Sequence, residues 1–209
     1  MQTARSDRRD EILDAMLAMV AEEGPDRVTT RGLARRVGIT EPVLYRQFAG
    51  GKAEMWHALA GRVGEAMQAA WRRALADAGG IALERLRALI GAQMRTIADI
   101  PALPAILFSR TLHRDNAALR AGLGEVAGRL HARIEQLVCE GQAHGELRAD
   151  VDPDATAWLL IATIQGTAIR WSLSERAFEL EPEGARVLEV ALAGLRARGH
   201  GMPARPGER

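Results

Sequence analysis

The sequence predicts an all-α protein, and three observations support that fold class. Hydrophobic residues make up 47% of the 209 positions, so the chain can bury a sizeable core. Eight prolines, 4% aromatic residues and short β-branched runs favour helices over a sheet. Apolar residues also recur every three or four positions, which is the spacing of one helix face. We therefore predict about nine helices, in a three-helix N-terminal domain and a larger helical C-terminal domain.

The first helix is predicted from Asp7 to Glu23. Ser6 suits the N-cap position, and Gly24 with Pro25 ends the helix. Its apolar stripe is expected to bury against the two helices that follow. The stripe consists of Ile12, Leu13, Met16, Met19 and Val20.

Two short helical patterns joined by a corner come next. Thr30 is predicted to cap the first, and Gly38 supplies the left-handed backbone that ends it. Thr40 is predicted to cap the second, with Glu41 and Pro42 in its first turn. The apolar residues at helical spacing are Leu33, Ala34, Val37, Val43, Leu44 and Phe48. This arrangement predicts a helix-turn-helix, the motif that places its second helix in a DNA major groove.

The segment from Arg27 to Lys52 is basic, although the whole chain carries a formal charge of only +1. It holds six basic residues and one acidic residue, Glu41, so it carries +5 and leaves −4 for the remainder. A basic end on an acidic body is expected if that end meets phosphates. Arg35 and Arg36 could instead only coat a solvated helix face, and that alternative stays open.

A series of short matches connects this segment with a known family. They are Thr29-Thr30, Leu33-Ala34, Gly38-Ile39-Thr40, Leu44-Tyr45, Phe48 and Gly51-Lys52. In order and spacing they resemble the N-terminal domain of the TetR family of bacterial transcriptional repressors, over roughly residues 10 to 60. Two features depart from the family pattern. The turn from Phe48 to Lys52 is one residue longer than the commonest spacing, and Val43 stands where Thr or a small residue is usual.

The resemblance implies a surface that binds double-stranded DNA. Tyr45 and Lys52, the only tyrosine and the only lysine of the chain, stand at positions that the family uses for phosphate contacts. Thr30 and Arg31 are predicted to join them, and such contacts position a protein without reading sequence. An arginine can pair with guanine and a valine can contact a thymine methyl group. The predicted contacts to base edges are Thr40, Glu41, Val43 and Arg46.

Six further helices are predicted after this segment. The first, over about 53–78, is expected to connect the DNA-binding domain to the rest of the protein, as the family resemblance implies. The others span about 81–99, 105–112, 115–142, 153–173 and 182–197. The predicted domains are a helix-turn-helix domain 1–52, an effector-binding and dimerisation domain 53–198, and a disordered tail 199–209 of low apolar content.

The C-terminal domain is predicted to enclose a small-molecule effector. Its large or adaptable side chains come from several helices, and Pro101 and Pro104 interrupt regular packing nearby. The resemblance also implies a pocket, and the apolar bias indicates a hydrophobic or amphipathic ligand, although ordinary core packing is the alternative for each residue. The predicted contacts are Met67, Trp71, Met94, Phe108 and Trp158, with Arg110, His113 and Gln165 as polar groups.

The residue pattern of the last two predicted helices indicates a homodimer. Both combine small residues with large apolar ones, and both faces of the first are apolar, which is more than one intramolecular neighbour requires. A four-helix bundle formed by two copies would cover the extra face, and the family architecture implies the same arrangement.

The sequence shows no motif for metal binding, nucleophilic catalysis or nucleotide binding. The five histidines are scattered, the single cysteine Cys139 lies in no activating motif, and Gly50-Gly51-Lys52 lacks the full spacing of a phosphate-binding loop. We therefore expect no enzyme activity, metal or cofactor. No apolar run reaches the ~18 residues of a membrane span and no signal peptide is present, so we expect a cytoplasmic protein without a membrane partner.

The sequence thus predicts a ligand-responsive transcriptional regulator. We expect a repressor that binds palindromic operator DNA as a dimer and is released by its effector. The alternative is a small-molecule sensor that acts through protein partners without DNA binding, and the +5 segment counts against it.

Overall fold

The computed structural model describes the backbone of residues 2–197 and the side chains from Asp7 onward. Within these residues it contains ten α-helices, a 3-10 turn at Pro25–Arg27 and an isolated bridge between Leu147 and Arg196. The helices are α1 Gln2–Glu23, α2 Thr30–Val37, α3 Glu41–Gln47, α4 Gly51–Asp77, α5 Ala82–Asp99, α6 Leu103–Phe108, α7 Arg110–Asp115, α8 Ala117–Ala143, α9 Pro153–Leu173 and α10 Leu180–Leu195. The all-α prediction is confirmed.

Helices α1, α2 and α3 pack around one apolar core. Ile12 and Met16 from α1 meet Leu33 from α2 and Leu44 from α3, and all four side chains are fully buried. Helix α1 begins at Gln2, so the predicted start after Ser6 was wrong. Residues 2–6 contain neither Gly nor Pro, and nothing in the local sequence stops the helix before its first residues.

The cap of α2 also differs from the prediction. Thr29, not Thr30, occupies the N-cap position in extended backbone, and its hydroxyl accepts a hydrogen bond from the Gly32 amide at 3.0 Å. At the other end of α2, Gly38 adopts the predicted left-handed conformation with φ of 72°. Because the cap is Thr29, the Thr30 side chain does not cap α2 and can bind another group.

Helix α4 joins the first three helices to the rest of the molecule. Its 27 residues span about 40 Å. Arg62 ties it to α1 by donating to Asp14 Oδ1 at 2.5 Å and to the Asp10 carbonyl at 3.3 Å. Trp56, near the start of α4, is fully buried. Further along, α4 packs on α5 and α8, so the same helix belongs to both parts of the molecule.

The predicted helix over residues 105–112 is two helices, which is why the structure has ten rather than about nine. Ser109 lies between α6 and α7 in extended backbone. Its hydroxyl accepts a hydrogen bond from the Leu112 amide at 3.2 Å and thereby caps α7. A serine favours such a cap because its side chain replaces a missing backbone partner.

Helices α5, α8, α9 and α10 complete the C-terminal body. α5 packs on α10, and α8 packs on α9. Helix α10 begins at Leu180, two residues before the predicted start. In the residues that the structure describes, no helix has the length and apolar character needed to cross a membrane. The predicted disordered tail, 199–209, lies outside the described residues.

Candidate nucleic-acid interface

Helix α3 is packed on one side and open on the other. Leu44 in the helix and Phe48 at its end are fully buried against the three-helix core. Tyr45 is 45% exposed, and Arg46 is exposed beside it. Thr40 occupies the N-cap position but makes no side-chain cap hydrogen bond, so its exposed hydroxyl remains available to another partner. A helix of this kind can present its exposed side chains to a groove without disturbing its own packing.

A hydrogen bond connects the starts of α2 and α3. The hydroxyl of Thr30 donates to Glu41 Oε2 at 3.1 Å. Two residues predicted to contact different parts of DNA, a phosphate and a base edge, are therefore partners in the free protein. Glu41 also lies in the first turn of α3, where a carboxylate is stabilised by the positive end of the helix.

The turn from Phe48 to Lys52 is closed by backbone and side-chain hydrogen bonds. The Gly51 amide donates to the Phe48 carbonyl at 2.9 Å, and the Gly50 amide donates to Glu54 Oε2 at 2.9 Å. Gly51 has a φ of 61°, a left-handed conformation that suits glycine. Lys52 is the second residue of α4, and its ammonium group donates to the Val28 carbonyl at 3.3 Å. The longer turn is thus an ordered structure that places Lys52 beside the start of α2.

Arg9 holds this turn from the side of α1. Its guanidinium lies 4.0 Å from the centre of the Phe48 ring, donates to the Gln47 carbonyl and donates to Glu54 Oε1 at 3.1 Å. The Gly50 amide, followed by Arg9, lowers the pKa of Glu54 below its usual value. The sequence could not reveal this arrangement, because Arg9 is 38 residues from Gln47 and 45 from Glu54.

The basic segment keeps most of its charge free. Arg36 forms two hydrogen bonds with Glu22, at 2.6 and 2.5 Å, which raise the pKa of Arg36 and lower that of Glu22. It therefore belongs to an ion pair within the domain. Four other arginines of the segment form no ion pair with any residue that the structure describes. These are Arg27, Arg31, Arg35 and Arg46.

The eight residues predicted to contact DNA lie on three neighbouring parts of the surface. They occupy the first turn of α2, the start and outer side of α3, and the first turn of α4, and none is buried. Between residues 7 and 197, no three His, Cys, Asp or Glu side chains are grouped in a way that could hold a metal ion. The surface combines hydroxyl, guanidinium and ammonium donors, the groups that bind phosphates and base edges.

A small cavity lies in the C-terminal body, and the exposed side chains of Phe108 and Gln165 are part of its wall. Its volume is about 60 Å³, and its walls come from α4, α5, α6, α8 and α9. Met67, Phe108 and Gln165 line it, and all three were predicted to contact the effector. Gln93, which the sequence analysis did not single out, is also in the wall and is only 6% exposed.

The other predicted effector contacts lie elsewhere. Met94 packs at the contact of α5 with α10, where an added Cβ on Gly184 would lie 2.8 Å from Met94 Cε. His113 Nε2 is 2.9 Å from the Leu107 carbonyl, and Trp158 is half exposed on α9 with its ring 4.5 Å from that of His131. Trp71 lines an outer groove, and Arg110 is exposed.

An apolar face is exposed along α9 and α10. Seven large hydrophobic side chains in residues 7–197 are exposed, and four of them lie on these two helices: Trp158, Leu159, Leu173 and Val190. Gly166 and Gly194 are exposed on the same helices, with open space above their Cα atoms. Several exposed apolar side chains on two neighbouring helices indicate an interface.

The chain matches two family profiles in these two regions. The profile of bacterial regulatory proteins of the tetR family covers residues 12–59, and a tetracyclin repressor-like C-terminal domain covers residues 82–181. A relative from Vibrio atlanticus (strain LGP32), the nucleoid occlusion factor SlmA, is 31% identical over 181 residues. That alignment covers 86% of this chain and 90% of the Vibrio protein. The matched profiles and relatives are regulatory proteins.

Solved structures share the fold over nearly the whole chain. The ketosteroid transcriptional regulator KstR2 of Mycobacterium tuberculosis superimposes with a TM-score of 0.75 at 23% identity, covering 91% of this chain and 96% of KstR2. The regulatory protein TetR from Rhodobacter sphaeroides gives a TM-score of 0.72 at 24% identity, covering 89% and 97%. These likenesses concern the arrangement of the helices.

Proposed function

Because the chain belongs to the TetR family of bacterial regulatory proteins, we propose that it is a ligand-responsive transcriptional repressor acting on a palindromic operator. Regulators of this family bind DNA as dimers and respond to small molecules. We place its action in the cytoplasm, where the DNA is. The observation that carries the proposal is the exposed side of α3, whose polar residues lie on a buried core beside arginines that form no ion pair within the described part of the chain.

In this proposal the interface divides into positioning and reading contacts. Thr30, Arg31, Tyr45 and Lys52 bind phosphates on either side of the major groove and fix the orientation of α3. The reading contacts come from α3 and its N-cap. Arg46 pairs with a guanine, Val43 contacts a thymine methyl group, and Thr40 and Glu41 contact neighbouring base edges. Glu41 can exchange the hydroxyl of Thr30 for a cytosine amino group, since each offers a hydrogen-bond donor to the Glu41 carboxylate.

A dimer is proposed to form through α9 and α10. Four helices from two copies would bury the exposed apolar face, and the glycines allow close approach of the backbones. Two-fold symmetry then places one α3 on each half-site of the operator, with the two helices separated by about 34–36 Å for successive major grooves.

The effector is proposed to act through the cavity in the C-terminal body. Its apolar walls suit a hydrophobic or amphipathic molecule, and Met67, Phe108 and Gln165 are proposed contacts. A ligand that binds more tightly to a state with a different α3 separation lowers DNA affinity by that difference. Helix α4 supplies both the cavity residue Met67 and the phosphate contact Lys52, so it is the route for this coupling.

A gel-shift titration with the DNA upstream of the protein's own gene tests the proposal. Wild-type protein is expected to bind one palindromic site with nanomolar to subnanomolar affinity at physiological salt. Replacing Arg46 with alanine should cost about 1–3 kcal/mol for each half-site of the palindrome and relax the base preference at one position of each half-site. Equal affinity for the site and for random DNA would contradict sequence-specific repression.

Similarity to SlmA supports a second candidate, a role in nucleoid occlusion. The alignment covers 90% of the Vibrio protein, so it includes the C-terminal body and not only the DNA-binding part. Deletion of the gene distinguishes the two roles. Division septa closing over chromosomes in the deletion strain would favour nucleoid occlusion, whereas altered transcription of a neighbouring gene with normal septum placement would favour repression.

A further inference from the structure

A surface groove lies between α4 and α8. Its volume is about 440 Å³, within the range of about 300–1,000 Å³ that is typical of small-molecule sites. Trp71, which is 5% exposed, and the half-buried Leu75 form its apolar part. Three exposed arginines complete it: Arg72, Arg129 and Arg133. The groove therefore offers an apolar surface next to concentrated positive charge.

The charge in the groove is only weakly compensated. Three arginines stand against one carboxylate, that of Glu65, which leaves a formal charge of +2. Arg72 makes no hydrogen bond or ion pair with any residue in the described part of the chain. Arg129 reaches Glu125 only at 3.5 Å, across two exposed side chains, and Arg133 donates to the neutral amide oxygen of Gln136 at 3.2 Å. These guanidinium groups can bind an anion without first losing a strong partner.

One hydrogen-bonded pair connects the wall of the groove with the wall of the cavity. Trp71 lines the groove, and its indole N–H donates to Gln93 Oε1 at 2.8 Å. Gln93 lines the cavity, where its amide nitrogen lies 3.8 Å from the sulfur of Met67. Both side chains are more than nine-tenths buried. A ligand that reaches from the groove into the cavity must therefore break or displace this hydrogen bond.

Helix α8 lines both spaces with adjacent residues. Val126 and Leu130 face the cavity, and Arg129 and Arg133, each three positions later, face the groove. Residues at this spacing lie side by side on a helix. An elongated molecule that passed the Trp71 indole would therefore have apolar walls at one end and guanidinium groups at the other.

We infer that the groove and the cavity form one binding site for an anionic amphiphile. Its apolar end enters the cavity, and its negative group binds Arg72, Arg129 and Arg133. The inference rests on the proposed effector-responsive function and adds the chemical class of the effector. The cavity of about 60 Å³ has room for roughly four waters, so the apolar end is a short chain.

Binding of this kind would act on α4 directly. The ligand displaces the Trp71 indole from Gln93 and inserts between α4 and α8. Trp71 and Lys52 lie on the same helix, so a change in the position of α4 at Trp71 also changes the position of a proposed phosphate contact. The coupling requires that the ligand bind the two positions of α4 with different affinity.

Three probes with one chain length and different charge test the inference. They are hexanoate, hexan-1-ol and hexylamine, titrated into the full chain without DNA and followed by NMR of the tryptophan indole N–H signals. Trp71→Phe identifies the Trp71 signal by its absence. Hexanoate should bind about tenfold more tightly than hexan-1-ol, and hexylamine most weakly. Hexanoate should shift the Trp71 signal, because the indole loses its bond to Gln93.

Two sets of variants assign the two ends of the site. Arg72→Gln, Arg129→Gln and Arg133→Gln combined should remove the advantage of hexanoate and leave hexan-1-ol binding unchanged. The charge-matched control combines Arg8→Gln, Arg73→Gln and Arg114→Gln, all outside the groove, and should keep the advantage. Ala127→Leu fills the cavity and should prevent binding of all three probes, with a thermal melt to show that each variant is folded.

Equal affinities for hexanoate and hexan-1-ol would overturn the inference, as would an arginine triple variant that binds hexanoate like wild type. Binding of an oligoglutamate peptide without any binding of hexanoate would also overturn it, in favour of a protein-docking groove. Parallel gel shifts separate this result from the proposed repressor function. Hexanoate binding that depends on the arginines supports the inference even if hexanoate leaves the operator affinity unchanged. An unchanged operator affinity would reject only the proposal that the effector releases the protein from DNA.

Discussion

Gly51 faces the edge of the Tyr45 ring so closely that a Cβ added to it would lie 3.3 Å from Tyr45 Cε1. Gly51 also has a left-handed backbone with φ of 61°. The first residue of α4 therefore supports the side chain of α3 that is proposed to bind a phosphate, and neither the space nor the backbone suits a larger residue.

Replacing Gly51 with alanine should destabilise the protein by about 1–2 kcal/mol, because alanine is strained in this conformation. Operator affinity should fall as well, since the Tyr45 ring must move. Urea denaturation and gel shifts measure the two effects. Gly61→Ala is the control: Gly61 is an exposed residue inside α4 with nothing near its Cα, and the change should stabilise by up to about 1 kcal/mol. Similar stability of both variants would refute the strain.

Arg9→Ala should cost about 1–2 kcal/mol of folding free energy, because it removes the contact with Phe48 and the hydrogen bonds to Gln47 and Glu54. The lost contacts all support the turn before Lys52, so DNA affinity should fall without a change in base preference. Arg8, the preceding residue, pairs with Glu11 on an exposed face and with no other residue from Asp7 to Ala197, so Arg8→Ala should change stability by less than about 0.5 kcal/mol. Guanidinium chloride unfolding curves give the unfolding free energies of the Arg9→Ala and Arg8→Ala variants for comparison with wild type.

Lys52→Met should weaken binding to every DNA sequence by a similar factor. Because the dimer loses one phosphate contact from each of its two protomers, the slope of log affinity against log salt concentration should fall by about 1.8, twice the value of about 0.9 for a single contact. Lys52→Arg keeps the charge and should retain most of the slope. Fluorescence anisotropy between 50 and about 200 mM salt gives both slopes. An unchanged slope in Lys52→Met would mean that Lys52 bonds only to the Val28 carbonyl.

Leu159→Glu should convert a dimer into a monomer, because Leu159 is 51% exposed on the apolar face of α9 and a charge there would be buried without a partner. Sedimentation equilibrium at micromolar concentration measures the mass. Ala76→Glu, on an exposed position of α4, introduces the same charge away from this face and should leave the dimer intact. A monomeric wild-type protein would exclude the proposed bundle.

The ion pairs of Glu183 should make the stability of the protein depend on pH in the acid range. Arg186 and then Arg170 donate to its carboxylate, and together they lower its pKa from the ordinary value of 4.5 to about 2. The depressed pKa means that the cluster stabilises the fold fully above pH 4.5, and that this contribution is lost as the pH falls towards about 2.

Glu183→Gln should therefore flatten the change in unfolding free energy between pH 4.5 and about 2, measured by urea titrations at successive pH values. Glu175→Gln is a suitable control, because Glu175 is an exposed carboxylate in the connection between α9 and α10 and forms no ion pair in the described residues. Equal acid slopes in both variants and wild type would contradict the role of Glu183.

The corrections to the predicted helices share one physical origin. Thr29 and Thr30 are equally good caps by residue type, and only the hydrogen bond to Gly32 decides between them. Ser109 in the middle of an apolar stretch gave no clear break in periodicity, yet its extended backbone divides the predicted helix in two. Local signals predict that a helix exists more reliably than where it ends, because the ends depend on packing.

The predicted effector contacts show the same limit. Residue size and flexibility identified Met67 and Phe108, and Gln165 was selected as a polar group; all three line the same cavity. The same criteria selected Met94 and Trp158, although one packs between two helices and the other lies on the apolar surface. A large side chain suits a core, a pocket or an interface equally well, so only neighbours brought together by folding can distinguish these roles.

By itself the sequence determined the all-α class, the helix-turn-helix with its family, and the exposed residues of α3, because these follow from spacing within about 25 residues. The tertiary structure alone decided which distant groups meet. It placed Arg9 on Phe48, and Trp71 between a charged groove and an apolar cavity. Such contacts join residues that are far apart in the chain, and their partners are selected by packing and hydrogen bonding rather than by local sequence.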